Sequence, residues 1–176
     1  MTESILIAGF GGQGVLFTGK VLAYTGLNAN KEVSWLPSYG PEMRGGTANC
    51  SVMISDNSIG SPIVSNPTML IAMNLPSLNK YEEETVSGGY IFFDNSLISR
   101  EVERKDVKAF GIPATKLASE NGMDGLANII ILGKVLKESN LFSLEDIKNA
   151  MAKMIPAKKV GMLEKNMKAI EIGYNY

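Results

Sequence analysis

The sequence predicts an α/β fold, a single Rossmann-like domain with a largely parallel sheet flanked by helices. Three observations carry this. Short apolar runs of strand length alternate with stretches of helical periodicity, the pattern of a sheet built from crossover connections. The first run leads into a glycine-rich turn and then a helix-length segment. The 176 residues match one ordinary domain, large enough to bury a core without disulfide or metal support.

The elements follow in order. Residues 4–10, SILIAGF, are an apolar run ending in glycines and predict a buried first strand. Residues 12–27 predict the next helix, with Val15, Thr18, Leu22 and Tyr24 near one face. Residues 33–36 predict a second strand stopped by Pro37, followed by a Pro-, Ser- and Gly-rich loop over 37–46. Residues 47–55 alternate, with Ala48, Cys50, Val52 and Ile54 on one side, as in a strand with one buried face. Residues 68–73 and 90–93 predict further strands. Pro76 opens a helix between them, because proline in a first turn gives up no needed N–H. Residues 107–112 predict another strand, ended by Pro113, and the apolar stretch 126–136 has helical length. Ser143 to Asp146 resembles a capping box with Asp in the usual Glu or Gln place. Leu144, Ile147, Met151 and Met154 then recur at helical spacing until Pro156, and Leu163, Met167 and Ile170 mark a last helix.

Composition excludes several functions. The formal net charge is −1, without the basic excess of a nucleic-acid binder. With no histidine there is no Ser-His-Asp triad and no histidine zinc site. One cysteine, Cys50, cannot hold an iron–sulfur cluster or an internal disulfide, and on the apolar phase of its strand it reads as a buried, inert thiol. The start carries Glu3 and no Lys or Arg, unlike a secretory leader, and no apolar run approaches membrane-span length. The expected location is the cytoplasm, with no membrane and no nucleic-acid partner. Charge is unevenly spread: between Val33 and Leu78 only Glu42, Arg44 and Asp56 are charged. That stretch is read either as central sheet or, given its Gly, Pro, Ser and Asn, as a subunit interface. The lysines at 148, 153, 158, 159, 165 and 168 read as a solvated helix face, or as an attraction for an acidic partner.

Gly9-Phe-Gly11-Gly12-Gln13-Gly14 fits G-x-G-x-x-G between a strand and a helix. Glycines permit a tight turn and close backbone approach, and helix N-terminal amides attract anions; close strand–helix packing asks for the same residues. The acid that dinucleotide binding wants at the end of strand two is missing, since Glu32 precedes that strand. Gly14 to Lys20 satisfies G-x-x-x-x-G-K, but Val21 replaces the Ser or Thr that holds magnesium, so a P-loop is not supported.

The glycine-Gln loop together with Tyr39-Gly-Pro-Glu-Met-Arg-Gly-Gly46 resembles the gamma subunits of 2-oxoacid:ferredoxin oxidoreductases, the pyruvate/2-oxoglutarate/ketoisovalerate oxidoreductase family. Ile54-Ser-Asp56, Ile59-Gly-Ser-Pro62, Ile112-Pro113-Ala114, Asn128 and Leu132-Gly133 extend the resemblance over essentially the whole chain. It implies one gamma-type domain over residues 1–176. It also implies an enzyme that oxidatively decarboxylates a 2-oxoacid, passes the acyl group to coenzyme A and sends two electrons to ferredoxin. Thiamine diphosphate, magnesium and iron–sulfur clusters would lie on alpha, beta and delta partner subunits. This chain would serve assembly and coenzyme A binding, with 2-oxoglutarate the first expected substrate and pyruvate and branched-chain 2-oxoacids next. The cofactor-binding candidates are Gly9, Gly11, Gly12, Gln13, Gly14, Tyr39, Glu42 and Arg44; no residue is read as catalytic or as a metal ligand. Arg44 offers a planar fork to phosphate or carboxylate, or else pairs with Glu42 or a partner; Tyr39 stacks on an adenine-like ring or fills an interface. A stand-alone nucleotide-binding enzyme and a purely structural subunit remain the alternatives.

Overall fold

The structure, a computed structural model, describes residues 1–42 and 45–176, with Val160 described by its backbone alone. Its strands are β1 (Thr2–Phe10), β2 (Glu32–Tyr39), β3 (Thr47–Ser55), β4 (Met69–Ala72), β5 (Tyr90–Asp94) and β6 (Lys108–Ile112). They form one sheet in the order β2-β3-β1-β4-β5-β6. β1 pairs parallel with β4, β4 with β5 and β5 with β6, while β3 is antiparallel to both β1 and β2. β3 alone therefore runs against the rest, and the largely parallel sheet is observed.

The helices are α1 (Val15–Asn28), α2 (Leu75–Tyr81), α3 (Ala114–Glu120), α4 (Ala127–Ser139), α5 (Leu144–Met154) and α6 (Val160–Asn175). Alternation of side chains along each strand divides the core in two. Ile5, Ile7, Cys50, Val52, Ile54, Met69, Ile71 and Phe92 pack against α1 and the α3–α6 layer. Leu6, Leu70, Ala72, Ile91 and Phe93 face the other way, under Leu78 of α2 and the strap residues Ile98 and Val102. Consecutive connections thus leave the sheet on opposite sides: α1 follows β1 onto one face and α2 follows β4 onto the other.

Two expectations need correction. Pro37 does not stop β2, which continues through Ser38 to Tyr39, and Gly40 N still bonds Thr47 O at 2.8 Å. β2 is an edge strand, where a missing N–H costs no ladder bond on the free side. Tyr24 is exposed; the inward face of α1 is Val15, Thr18, Val21, Leu22 and Thr25. The sequence reading also has no helix at α3. That helix is started by a distant residue: Asp94, fully buried, accepts from Thr115 N at 3.0 Å and Thr115 Oγ1 at 2.5 Å. The capping box is present, with Ser143 Oγ accepting from Asp146 N at 3.1 Å and Asp146 Oδ2 accepting from Ser143 N at 3.0 Å.

α4 and α6 cross with backbones in contact. A Cβ on Gly133 would meet Ile170 O, and one on Gly173 would meet Ile130 O. Glycine is required by close approach, because nothing flexible stands in the way. On the other face, the Glu82 carboxylate secures the strap. It pairs with Arg100 at 2.7 Å and accepts from the backbone N–H groups of Glu103 (2.5 Å) and Arg104 (3.1 Å). Burial alone would raise the Glu82 carboxyl, but these partners outweigh it and hold it below its usual value. Asp56 is lowered to about 2 by its bonds to Lys31 and the N-terminal ammonium, and Asp106 to about 2 by Arg104.

Gly133→Ala is expected to reduce stability by the upper end of about 1–3 kcal/mol, read from urea unfolding, because overpacking here meets backbone. The three carboxyls titrate lower folded than unfolded, so their stabilisation is complete above about pH 4–5 and is lost as pH falls through the folded values. Melting temperature should therefore fall between pH 5 and pH 2. Glu82→Gln should melt below the wild type at pH 7, and the two curves should converge toward pH 2.

Candidate functional site

The candidate site lies where β1 and β4 end side by side and their helices part, the crevice at which open α/β sheets bind ligands. Gln13 spans it. Its Oε1 accepts from Phe10 N at 2.7 Å, and its Nε2 donates to Met73 O at 3.0 Å. Gly9 sits beneath: a Cβ there would lie 2.6 Å from Gln13 Oε1 and 2.9 Å from Met73 Cβ. The chain then turns through Gly12 at φ 99° and Gly14 at φ 74°, left-handed conformations that favour glycine. Gly14 is also crowded, since a Cβ would strike the Asn128 amide. Asn128, from α4, donates to Gly14 O at 3.2 Å and to Thr18 Oγ1 at 3.1 Å, which locks the turn to α1.

α1 begins without a side-chain cap and without an acid in its first turn. Its first amides therefore have no side-chain acceptor, and the positive end of the helix dipole is left uncompensated. That end opens on a cleft of about 350 Å³ lined by Phe10, Gly11, Gly12, Gly14, Tyr39 and Ala48, with the first turn of α1. The two sequence motifs are joined here. Gly11 N donates to Gly46 O at 2.8 Å, and Gly45 N donates to Gly11 O at 3.3 Å. Tyr39, although in β2 rather than a loop, faces the same cleft as Gly11, Gly12 and Gly14. Glu42 is exposed in the turn and is not among the cleft-lining residues. Arg44 lies outside the described residues. Gly9 and Gln13 shape the wall through packing and hydrogen bonds.

A second cavity, about 210 Å³, lies on the other side of Gly12, between Gln13, Met73, Leu97, Thr115 and Asp124. Thr115 is held there by Asp94, whose other oxygen accepts from Ser96 N at 3.1 Å. The sequence reading missed this carboxylate, as it missed the role of Asn128. Only the chain's return from a distant strand or helix brings either to the turn. Other features resolve simply. Gly19 of the apparent G-x-x-x-x-G-K lies inside α1, where a Cβ would come within 2.5 Å of Cys50 Sγ, and Lys20 is exposed. Burial pushes the Cys50 thiol up to about 12, a contact with Trp35 opposing it only partly, so the sulfur stays protonated. Among the described residues no cluster of three His, Cys, Asp or Glu side chains suits a metal, and no helix is long and apolar enough to cross a membrane.

The family model described as pyruvate ferredoxin/flavodoxin oxidoreductase matches residues 4–176. The chain belongs to this family. It is 36% identical to "2-oxoglutarate synthase subunit KorC" of Methanocaldococcus jannaschii over 99% of this chain and 93% of that one. It is 39% identical to "Ketoisovalerate oxidoreductase subunit VorA" of Methanothermobacter thermautotrophicus over 96% of this chain, but spans only 35% of that longer relative. The fold of a keto/oxoacid ferredoxin oxidoreductase gamma subunit from Geobacter sulfurreducens superposes with a TM-score of 0.82 at 25% identity, over 98% of this chain and 96% of that one.

Within this family member the two left-handed glycines are expected to differ. Gly12→Ala meets no neighbour, so it should cost only the backbone strain of about 1–2 kcal/mol. Gly14→Ala adds the collision with Asn128 and should cost clearly more in urea unfolding. Equal losses would mean that Asn128 gives way.

Proposed function

We propose that this chain is the gamma subunit of a 2-oxoacid:ferredoxin oxidoreductase and that residues 1–176 form its single gamma-type domain. Its part is assembly and the holding of coenzyme A, while thiamine diphosphate, magnesium and iron–sulfur clusters belong to alpha, beta and delta partner subunits. The observation that supports coenzyme A binding is the joining of Gly11 to Gly45 and Gly46 beside an uncapped helix N-terminus. Coenzyme A supplies the thiol that accepts the acyl group. The residues here fit its anionic portion. Glycines let the backbone approach, the first amides of α1 can donate to phosphate oxygens, and among the described residues no charged side chain lines the cleft against it. Arg44 is the cation of the adjoining sequence motif, and Tyr39 offers a ring face.

2-Oxoglutarate is the proposed substrate of the assembled enzyme, supported by the relative matched over 93% of its length. The charge-poor stretch supports a subunit interface: Trp35, Leu36 and Tyr39 are exposed on the free edge strand β2, and Ile63 is 63% exposed in the segment before β4. Ferredoxin would meet the complex rather than this chain. A cytoplasmic setting accords with the lone buried thiol. A purely structural role has its own support in Gln13, whose two polar atoms bond within the chain.

Co-expression with the cluster- and thiamine-bearing subunits decides between them. A stable complex should elute in gel filtration, and the isolated chain should lack 2-oxoacid-dependent viologen reduction. In the complex, Arg44→Ala should raise the apparent coenzyme A constant about 10–100-fold, the worth of a hydrogen bond to a charged group, with the 2-oxoacid constant unmoved. Gly12→Val should lower turnover more than Lys20→Ala. Unchanged coenzyme A kinetics in assembled Arg44→Ala and Gly12→Val complexes would leave the structural role.

A further inference from the structure

Across the sheet from α1, Thr47 and Asn49 of β3 point away from the inward Ala48 and Cys50. With Gly9, Asn74, Ser77, Lys80 and Tyr81 they enclose a cleft of about 120 Å³ at the same crevice. Three features mark it. Asn74 is buried, 4% exposed, and its Oδ1 accepts from Ser77 N at 2.8 Å to cap α2. That bond fixes the amide orientation, because Nδ2 cannot take its place opposite an N–H. Nδ2 then has no hydrogen-bond partner among the described residues, and the residue lines the cleft. An amide donor fixed in this way on a cleft-lining residue is available to a ligand oxygen.

Lys80 is the second feature. It pairs with no carboxylate among the described residues and lies over the Tyr81 ring, 4.9 Å from its centroid. It is the only cation lining the three cavities at this end of the sheet, among the described residues. The third is Tyr81, whose oxygen accepts from Asn49 Nδ2 at 3.4 Å, leaving its O–H free to donate. Donors and one positive charge converge on a space the size of a single small group, with no acid lining it among the described residues.

We propose that this cleft binds the anionic group of a small molecule, a carboxylate or a phosphate, through Asn74 Nδ2, Lys80 and Tyr81. Asn74 is the pre-set donor, held by its capping bond, and Lys80 supplies the charge. The site lies on the opposite face from the cleft at α1, so it stands whether or not coenzyme A binds there.

The test is side-chain amide NMR on the ¹⁵N-labelled full chain, titrated separately with inorganic phosphate and with acetate. The Asn74 amide pair should shift and saturate below about 10 mM, the range of a weak single-group site. Saturation by phosphate alone identifies a phosphate site, and comparable saturation by acetate identifies a carboxylate site. Lys80→Gln should weaken binding about 10-fold or more, since it removes a charged hydrogen bond, and Lys80→Arg should restore part of it. Asn74→Asp keeps an oxygen to cap α2, so its melting temperature should stay close to wild type, while binding is lost to charge repulsion. No saturable shift with either anion, or equal binding in Lys80→Gln and Asn74→Asp, would overturn the proposal.

Discussion

The rest of the site depends on one side chain bridging two strand ends. β1 and β4 lie side by side, but their helices leave on opposite faces, so nothing in the sheet itself closes the gap beyond Phe10 and Met73. Gln13 closes it with an acceptor for one backbone N–H and a donor for one backbone carbonyl. Few side chains carry both without charge; a glutamate would set a negative oxygen against Met73 O. The glycine spacing follows from this. Gly9 must leave room for Gln13 and Met73, Gly12 must turn back in the left-handed region, and Gly14 must pass under Asn128. The motif is thus a packing solution first, and its open edge toward α1 is what packing leaves over.

Much of the fold was legible because burial imposes periodicity locally. β1, β3, β4 and β5 announce themselves through apolar runs or alternation, and α5 through its capping box. What was not legible came from long-range context. Pro37 is harmless only because β2 is an edge, and edge position is decided by the pairing of β3 with β1. α3 has no local signal, since its first turn is capped by Asp94, 21 residues earlier. At the site, the glycine pattern and Tyr39 were readable as shape. The partners that give the pattern its reason stand 60 residues away at Met73 and 114 away at Asn128. Asn74 was not singled out in the sequence; that it caps α2 two residues before Pro76 came only with the structure.

The two sides of the crevice differ in chemistry as they differ in cover. Toward α1 the surface is backbone, aromatic and aliphatic, with no charged side chain on the cleft wall among the described residues. Toward α2 it is side-chain amide, hydroxyl and ammonium. Gly9 lines the α2 side, and the absence of a side chain there leaves room for Gln13, Met73 and Val15.

The central place of β1 also governs how the chain is made. β1, the first strand of this domain, pairs with neither the second strand nor any near neighbour; Thr2 meets Ser55, and Ile5 meets Met69. At roughly 5–20 residues per second, β1 waits roughly 3–13 s for β4 after it is synthesised. Until β3 arrives, Ile5, Leu6 and Ile7, all buried in the finished fold, have both strand edges unpaired, and β4 then covers the second edge. The nascent chain therefore exposes an apolar segment well before its partners exist, and the first step that shields it is the arrival of β3, the one strand that runs the other way.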